Sequence, residues 1–227
     1  MASESTNKGW INTWEEGRSP WHRPQVHPML EKYLDKVIAG RHSCRIFFPL
    51  CGKAVDMKWL ADKGHTVVGV ELSGKGIKQF FQEQNVEYDV SPVENLPDAE
   101  LYKSKDGKIL IYKADLFAVS RDVLGTFGGM WDRGSLVAID KEDRERYVDL
   151  MASLMAPDCN YLLSTFDYDM AVMKGPPHCI PDSEVRRLYA NQVQMDHLET
   201  HDYLTEKWKL KGHKWMSVSI FMVTAKL

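Results

Sequence analysis

The chain alternates short apolar runs with stretches whose apolar residues recur at helical spacing. Residues 45–50, Arg-Ile-Phe-Phe-Pro-Leu, pass through Cys51-Gly52-Lys53 into residues 54–63, where apolar positions return with the helical period. This reads as strand, tight turn, helix. Gly64 closes the helix as a C-terminal cap, residues 66–71 follow as a β-branched strand, and Ser73 opens another helix to about residue 84. Further strands are predicted at 109–112, 127–131, 161–166 and 217–225, and further helices at 141–155 and 182–190. Strand and helix in turn predict an α/β fold, a largely parallel sheet with helices on both faces.

About forty residues precede the first strand and contain Trp10, Trp14, Trp21 and a predicted helix at 28–39. The expected organisation is one domain over 1–227, with a polar, disordered stretch at 1–8, an N-terminal cap segment at 9–43 and the core at 44–227. On a helix Trp10 and Trp14, spaced i, i+4, present one aromatic face. Spacing alone is equally satisfied by a packing stripe.

Composition narrows the partners. With 44% hydrophobic and 27% charged residues and a net charge of -3, the 227-residue chain has globular usage and length for one sizeable core. The balance offers no footprint for a phosphate backbone, so no nucleic-acid partner is expected. No run approaches the ~20 apolar residues of a spanning helix, so no membrane association is expected either. Cys44, Cys51, Cys159 and Cys179 stand singly, which suggests neither zinc site nor disulfides and fits a cytoplasmic protein. His197 and His201 would pair only if their segment were helical, and no metal is expected.

Ligands of such sheets bind beyond the carboxyl ends of the strands, where a glycine turn lets backbone approach and an acid on the next strand grips a ribose. Gly52 follows the first strand, and Glu71 ends the second, 19 positions later. The turn, Leu50-Cys-Gly-Lys-Ala-Val-Asp56, holds a single glycine, fewer than a pyrophosphate-binding turn uses. A nucleoside cofactor without phosphates, such as S-adenosylmethionine, therefore fits better than NAD. A solvated strand end remains an alternative for Glu71. Asp115 follows the third strand where an acceptor for an adenine amine belongs, and Asp132-Arg133 follow the fourth, where a surface ion pair is the plainer alternative. Cys51 reads as a small packing residue rather than a nucleophile.

Several blocks carry a resemblance: Trp10-x3-Trp14, Ser19-Pro-Trp-His22, the long run from Phe47 through Cys51-Gly-Lys-Ala-Val-Asp-Met-Lys-Trp59, Gly64-His-Thr-Val-Val-Gly-Val-Glu71, Trp131-Asp-Arg-Gly134 and Gly175-Pro-Pro177. Together, over nearly the whole chain, they resemble the thiopurine S-methyltransferase family. The resemblance implies a Rossmann-like seven-stranded sheet, mostly parallel with an antiparallel last strand, and an N-terminal helical extension over the cofactor. It also implies S-adenosyl-L-methionine as cofactor, S-adenosyl-L-homocysteine as product, and direct in-line methylation of aromatic and heterocyclic thiols by a monomer without metal. Carried over by residue, Trp10, Trp14, Trp21, Leu50, Gly52, Glu71, Leu72, Asp115, Leu116 and Arg133 are expected to hold the cofactor. Trp21 and Arg133 are expected to hold the substrate, and Arg133 with Asp132 to act in catalysis.

Two features depart from the mammalian pattern. Trp21 stands for a phenylalanine, and a second substrate-side arginine before the last strand is missing, with Lys209, Lys211 and Lys214 in its neighbourhood. Lysine lacks the planar fork, so binding of thiols with carboxylates is expected to be weaker or altered. The proline-rich loop 173–181 is expected at the mouth of the cleft, where His178, Cys179 and Ile180 would influence the acceptor. The competing functions are methylation of another small nucleophile (sulfide, halide, selenium compound or amine), a non-catalytic cofactor-binding module, and an NAD-dependent oxidoreductase.

Overall fold

The structure, a computed structural model, describes residues 4–190 and 193–226. In chain order its elements are α1 (Glu4–Glu15), α2 (Pro28–Ile38), β1 (Arg45–Phe48), α3 (Val55–Asp62), β2 (Thr66–Glu71), α4 (Gly74–Glu83), β3 (Tyr88–Pro92), β4 (Glu100–Ser104) and β5 (Ile109–Lys113). They continue with α5 (Arg121–Leu124), β6 (Phe127–Arg133), α6 (Arg144–Leu154), β7 (Met155–Tyr168), α7 (Asp182–Tyr189), β8 (Val193–Asp202), α8 (Glu206–Leu210) and β9 (Met216–Ala225). Helix α1 begins inside the stretch expected to be disordered; residues 1–3 of that stretch lie outside the described residues.

One sheet of nine strands runs in the order β3-β4-β5-β2-β1-β6-β7-β9-β8. Its middle, β5-β2-β1-β6-β7, is parallel throughout, and β9 lies antiparallel to both β7 and β8. The antiparallel last strand is therefore as expected, but the strand number of seven is corrected to nine by the β3–β4 hairpin added antiparallel to β5. Strand order reverses at β1, which has β2 on one side and β6 on the other, and connections leaving in opposite directions open a crevice at the carboxyl ends there.

Alternate residues of the central strands enter two different apolar clusters, as side chains projecting to opposite faces must. Phe47, Val68, Met130, Tyr161 and Leu163 belong to one cluster, while Ile46, Phe48, Val67, Trp131 and Leu162 belong to the other. Helix α2 buries Leu30, Leu34 and Val37 on the second face, and is capped at its start by His27, whose Nδ1 accepts the Met29 amide. Helix α4 buries Ile77, Phe80 and Phe81 there too, behind a Ser73 cap whose Oγ accepts the Gly76 amide at 3.1 Å. No described helix is long and apolar enough to cross a membrane.

Candidate active site

A cavity of about 480 Å³ lies at the carboxyl ends of β1, β2 and β6. Its floor is the turn after β1, where Leu50 (φ 43°) and Gly52 (φ 52°) both take the left-handed conformation and bend the backbone sharply. A Cβ on Gly52 would stand 3.4 Å from the Trp14 ring, so the glycine keeps the space between turn and indole open. Glu71, at the end of β2, ties this turn to the next helix: its two carboxylate oxygens accept the Gly52 amide at 2.9 Å and the Ser73 amide at 2.7 Å. Burial pushes the Glu71 carboxyl up, and those amide bonds pull it back. Each oxygen keeps a second lone pair, so the carboxylate can still accept from a ligand.

Leu72, Asp115 and Leu116 continue the wall. Asp115 caps the turn after β5, one oxygen accepting the Phe117 amide at 2.9 Å and the other the Asn7 side-chain amide at 3.1 Å. Asn7, three residues before Trp10 on the same face of α1, thus fastens that helix to the sheet, and helical spacing from the tryptophans is the signal that could have found it. Trp10, Trp14 and Trp21 roof the cavity together, with Trp21 edge-on to Trp10 at 5.2 Å and to Trp14 at 5.6 Å between ring centres. Trp14 is almost fully buried and rests on α4, where a Cβ added to Gly76 would stand 3.1 Å from its ring. The three indoles, the glycine turn and the strand-end acid fit a nucleoside cofactor bearing a sulfonium, because aromatic faces attract cations.

Of the pair at the end of β6, only Arg133 faces the cavity. It donates to the Trp21 carbonyl at 2.8 Å, and burial lowers its pKa, though a guanidinium stays charged. Asp132 is fully buried on the other side of the strand, where its Oδ2 accepts the Tyr147 and Tyr161 hydroxyls at 2.6 and 2.7 Å and its Oδ1 accepts the Leu136 amide at 3.1 Å. Tyr161 in turn meets the Tyr189 hydroxyl at 2.9 Å. The catalytic assignment of Asp132 is therefore corrected: neighbouring strand residues point to opposite faces, and this one anchors the core.

Val137, Ile139, Phe166, Pro176, Pro177, Tyr203 and Trp208 close the far side. Pro176 and Pro177 of the proline-rich loop reach the cavity, whereas His178, Cys179 and Ile180 are not among its walls: Ile180 is fully buried, Cys179 meets Asp167 and His178 meets Asp140. Lys207 and Lys211 line the cavity and flank the Trp208 ring; Lys209 pairs with Glu206 instead, and Lys214 is not a wall residue. Cys51 is buried and its thiol is pushed well up by burial, as a packing residue's would be. His197 and His201 stand on strand β8.

Comparison with known proteins gives the family. The sequence model described as Thiopurine S-methyltransferase matches residues 5–226. A probable thiopurine S-methyltransferase of Danio rerio is 49% identical over 217 residues, covering 96% of this chain and 94% of the relative. A thiopurine S-methyltransferase of Bos taurus is 42% identical over 221 residues, covering 97% and 90%. Among solved structures, Burkholderia thailandensis 1,6-didemethyltoxoflavin-N1-methyltransferase, with bound 1,6-didemethyltoxoflavin and S-adenosylhomocysteine, superposes with a TM-score of 0.62 at 14% identity, covering 97% of this chain and 87% of that one. N-methyltransferase NodS of Bradyrhizobium japonicum, in complex with S-adenosylhomocysteine, gives 0.59 at 11%, covering 86% and 85%. At those identities the two structures speak for the fold, and it is the match over nearly the whole chain that establishes that this chain belongs to the thiopurine S-methyltransferase family.

Proposed function

We propose that the chain transfers a methyl group from S-adenosylmethionine to the sulfur of aromatic and heterocyclic thiols such as thiopurines. The carrying observation is the convergence of a glycine turn, a strand-end acid, three indoles and a half-buried guanidinium on one cavity, in a chain of this family. When bound, S-adenosylmethionine supplies an electrophilic methyl group on a positively charged sulfur.

The residues divide the work. Glu71 takes the ribose hydroxyls with the lone pairs its two backbone partners leave. Asp115 and Leu116 frame the adenine, Asp115 exchanging the Asn7 amide for the adenine amine. Leu50, Gly52 and Leu72 shape the bed beneath. Trp10, Trp14 and Trp21 cover the sulfonium and keep water out, and Trp21 also contacts the acceptor. Arg133 holds fixed positive charge beside the acceptor sulfur and favours thiolate over thiol, so an acidic heteroaromatic thiol needs no separate base.

The acceptor is a small molecule, in keeping with a cavity bounded by this chain's own elements from α1 to α8, and we infer a monomer on the same ground. Four free, buried cysteines support a cytoplasmic setting. That both apolar clusters share one sheet supports a single domain. Calorimetric titration with S-adenosylhomocysteine tests the site assignment: Glu71→Gln is expected to weaken binding at least tenfold, by about the 1.4 kcal/mol or more that a charged hydrogen-bonded contact contributes. Wild-type affinity in that variant would contradict it.

A further inference from the structure

Two connections at one end of the sheet, residues 169–174 after β7 and residues 203–215 between β8 and β9, carry apolar side chains that the reaction does not use. Six large apolar side chains stand exposed among the described residues, and four of them, Met170, Val172, Leu210 and Trp215, lie on these connections. The backbone brings them together. Tyr168 and Met216 are register partners at the ends of β7 and β9, which sets Trp215 beside the 169–174 turn, and a Cβ on Gly212 would stand 3.7 Å from the Val172 side chain. On α8, Trp208 is buried against the cavity, while Leu210, two residues on and therefore on the opposite side of the helix, is 88% exposed. Single exposed apolar residues are ordinary, but four gathered at one end of a fold mark an interaction surface.

The charge around this cluster is of one sign. The chain has a net charge of -3, yet residues 203–215 hold Lys207, Lys209, Lys211 and Lys214 against the single acid Glu206, which pairs with Lys209. Lys174 ends the other connection, and neither it nor Lys214 has a carboxylate at ion-pair distance among the described residues. An apolar cluster beside unpaired lysines suits an occupant that is apolar and anionic at once. A second copy does not qualify, because a two-fold contact through this face would set the lysines of one copy against those of the other. An anionic bilayer supplies both halves: its headgroups meet the lysines, and its interface accepts leucine, methionine and indole.

We propose that the two connections form a docking surface for a membrane leaflet carrying anionic lipids, with Met170 and Leu210 inserted among the headgroups and Lys174 and Lys214 over the phosphates. The contact is with the surface alone, so the expectation of no membrane association, drawn from the want of a spanning run, is narrowed to spanning. Because Trp208 belongs to the same connection and to the cavity wall, docking brings that end of the cavity to the bilayer, where apolar aromatic thiols concentrate. This last consequence rests on the thiol methyltransferase reading above; the docking itself does not.

Flotation of the full chain with vesicles of phosphatidylcholine, alone or with about a third phosphatidylserine, tests the surface. Wild type is expected to partition roughly tenfold or more better into the mixed vesicles, and high salt to release it. Met170→Ser/Leu210→Ser should lower that partitioning by about tenfold or more, and Lys174→Gln/Lys214→Gln by about twenty-five-fold, at about fivefold per lysine. None of the four residues is a cavity wall, so both variants should keep the wild-type thermal melt and the wild-type turnover without vesicles. Equal partitioning of wild type into both kinds of vesicle, or undiminished partitioning of either variant, overturns the proposal. Self-association in sedimentation velocity that Leu210→Ser abolishes, with no flotation, assigns the face to a second copy and overturns it as well. Flotation needs no turnover, so a chain that floats as described but methylates no thiol keeps the docking surface and loses only the reading of its reaction.

Discussion

Replacing Asp132 by asparagine separates an anchor from a catalyst. The carboxylate accepts three hydrogen bonds, from the Tyr147 and Tyr161 hydroxyls and the Leu136 amide, and has no exposed surface. An asparagine that keeps its oxygen toward Leu136 turns an NH₂ toward two hydroxyls that were both donors. Tyr161 can rotate and donate to Tyr189, but the Tyr147 proton is left without an acceptor. Bonds to a charged acceptor contribute roughly 1.5–3 kcal/mol each, and removing a buried charge recovers part of that, so a net loss of about 2–4 kcal/mol follows. For a chain of this length each kcal/mol shifts Tm by about 2–4 °C, so the variant should melt about 4–16 °C lower. Thermal unfolding by circular dichroism gives the shift, and steady-state kinetics well below the new Tm give kcat. The expected result is a clear loss of stability with kcat within about threefold of wild type, under 1 kcal/mol of barrier. Normal stability with a hundredfold loss of kcat would refute the reasoning and return Asp132 to the reaction.

Three further outcomes are expected. Gly76→Ala places a methyl group against Trp14 and should weaken S-adenosylhomocysteine binding at least fivefold by calorimetry, while the better helix propensity, about 0.5–1 kcal/mol, holds Tm near wild type; undiminished affinity would free the indole roof from cofactor binding. His27, whose pKa burial lowers to about 3, stays neutral when the unfolded chain begins to protonate near the ordinary imidazole value of about 6.5, so its contribution to stability is present above that value and is lost as pH falls toward 3. His27→Asn keeps a capping acceptor and should flatten the wild-type pH dependence of unfolding by up to about 1.4 kcal/mol per pH unit in that window, read as the difference between the two proteins' denaturant curves. Arg133→Ala should raise the apparent pKa of the rising limb of the pH–rate profile by about one unit, because the thiolate loses its neighbouring cation; an unmoved profile with normal cofactor affinity speaks against that role.

The central βαβ unit was legible because its pattern is dense: three consecutive buried residues of β1, the Gly52 turn and the Gly64 stop leave little else for residues 45–71 to form. The β3–β4 hairpin was not, since β3 is an edge strand with four of its five residues exposed, and no apolar alternation marks it. Strand β8 escaped for the same reason: Gln194 to Asp202 is mostly polar and is held by its backbone ladder to β9. In the site, the residues at strand ends were predictable from the fold's geometry. Asp132 was misread, although two-residue alternation from the buried Met130 already puts it on the core face, opposite Arg133. Asn7 shares the aromatic face of α1 with Trp10 and Trp14, but the helical period does not say which strand end that face meets, and only the folded chain brings it to Asp115; Arg23 lies between α1 and α2, where no period links sequence to direction, and reaches the cavity border only in the folded chain.

The central claim is tested most directly by incubating the protein with labelled S-adenosylmethionine and thiophenol, aniline or phenol in parallel, and measuring methylated product against S-adenosylhomocysteine formed. The account predicts stoichiometric methylation of the thiol and far slower reaction with the amine and the phenol. Comparable turnover of aniline, or no thiol methylation while the cofactor binds normally, would contradict it.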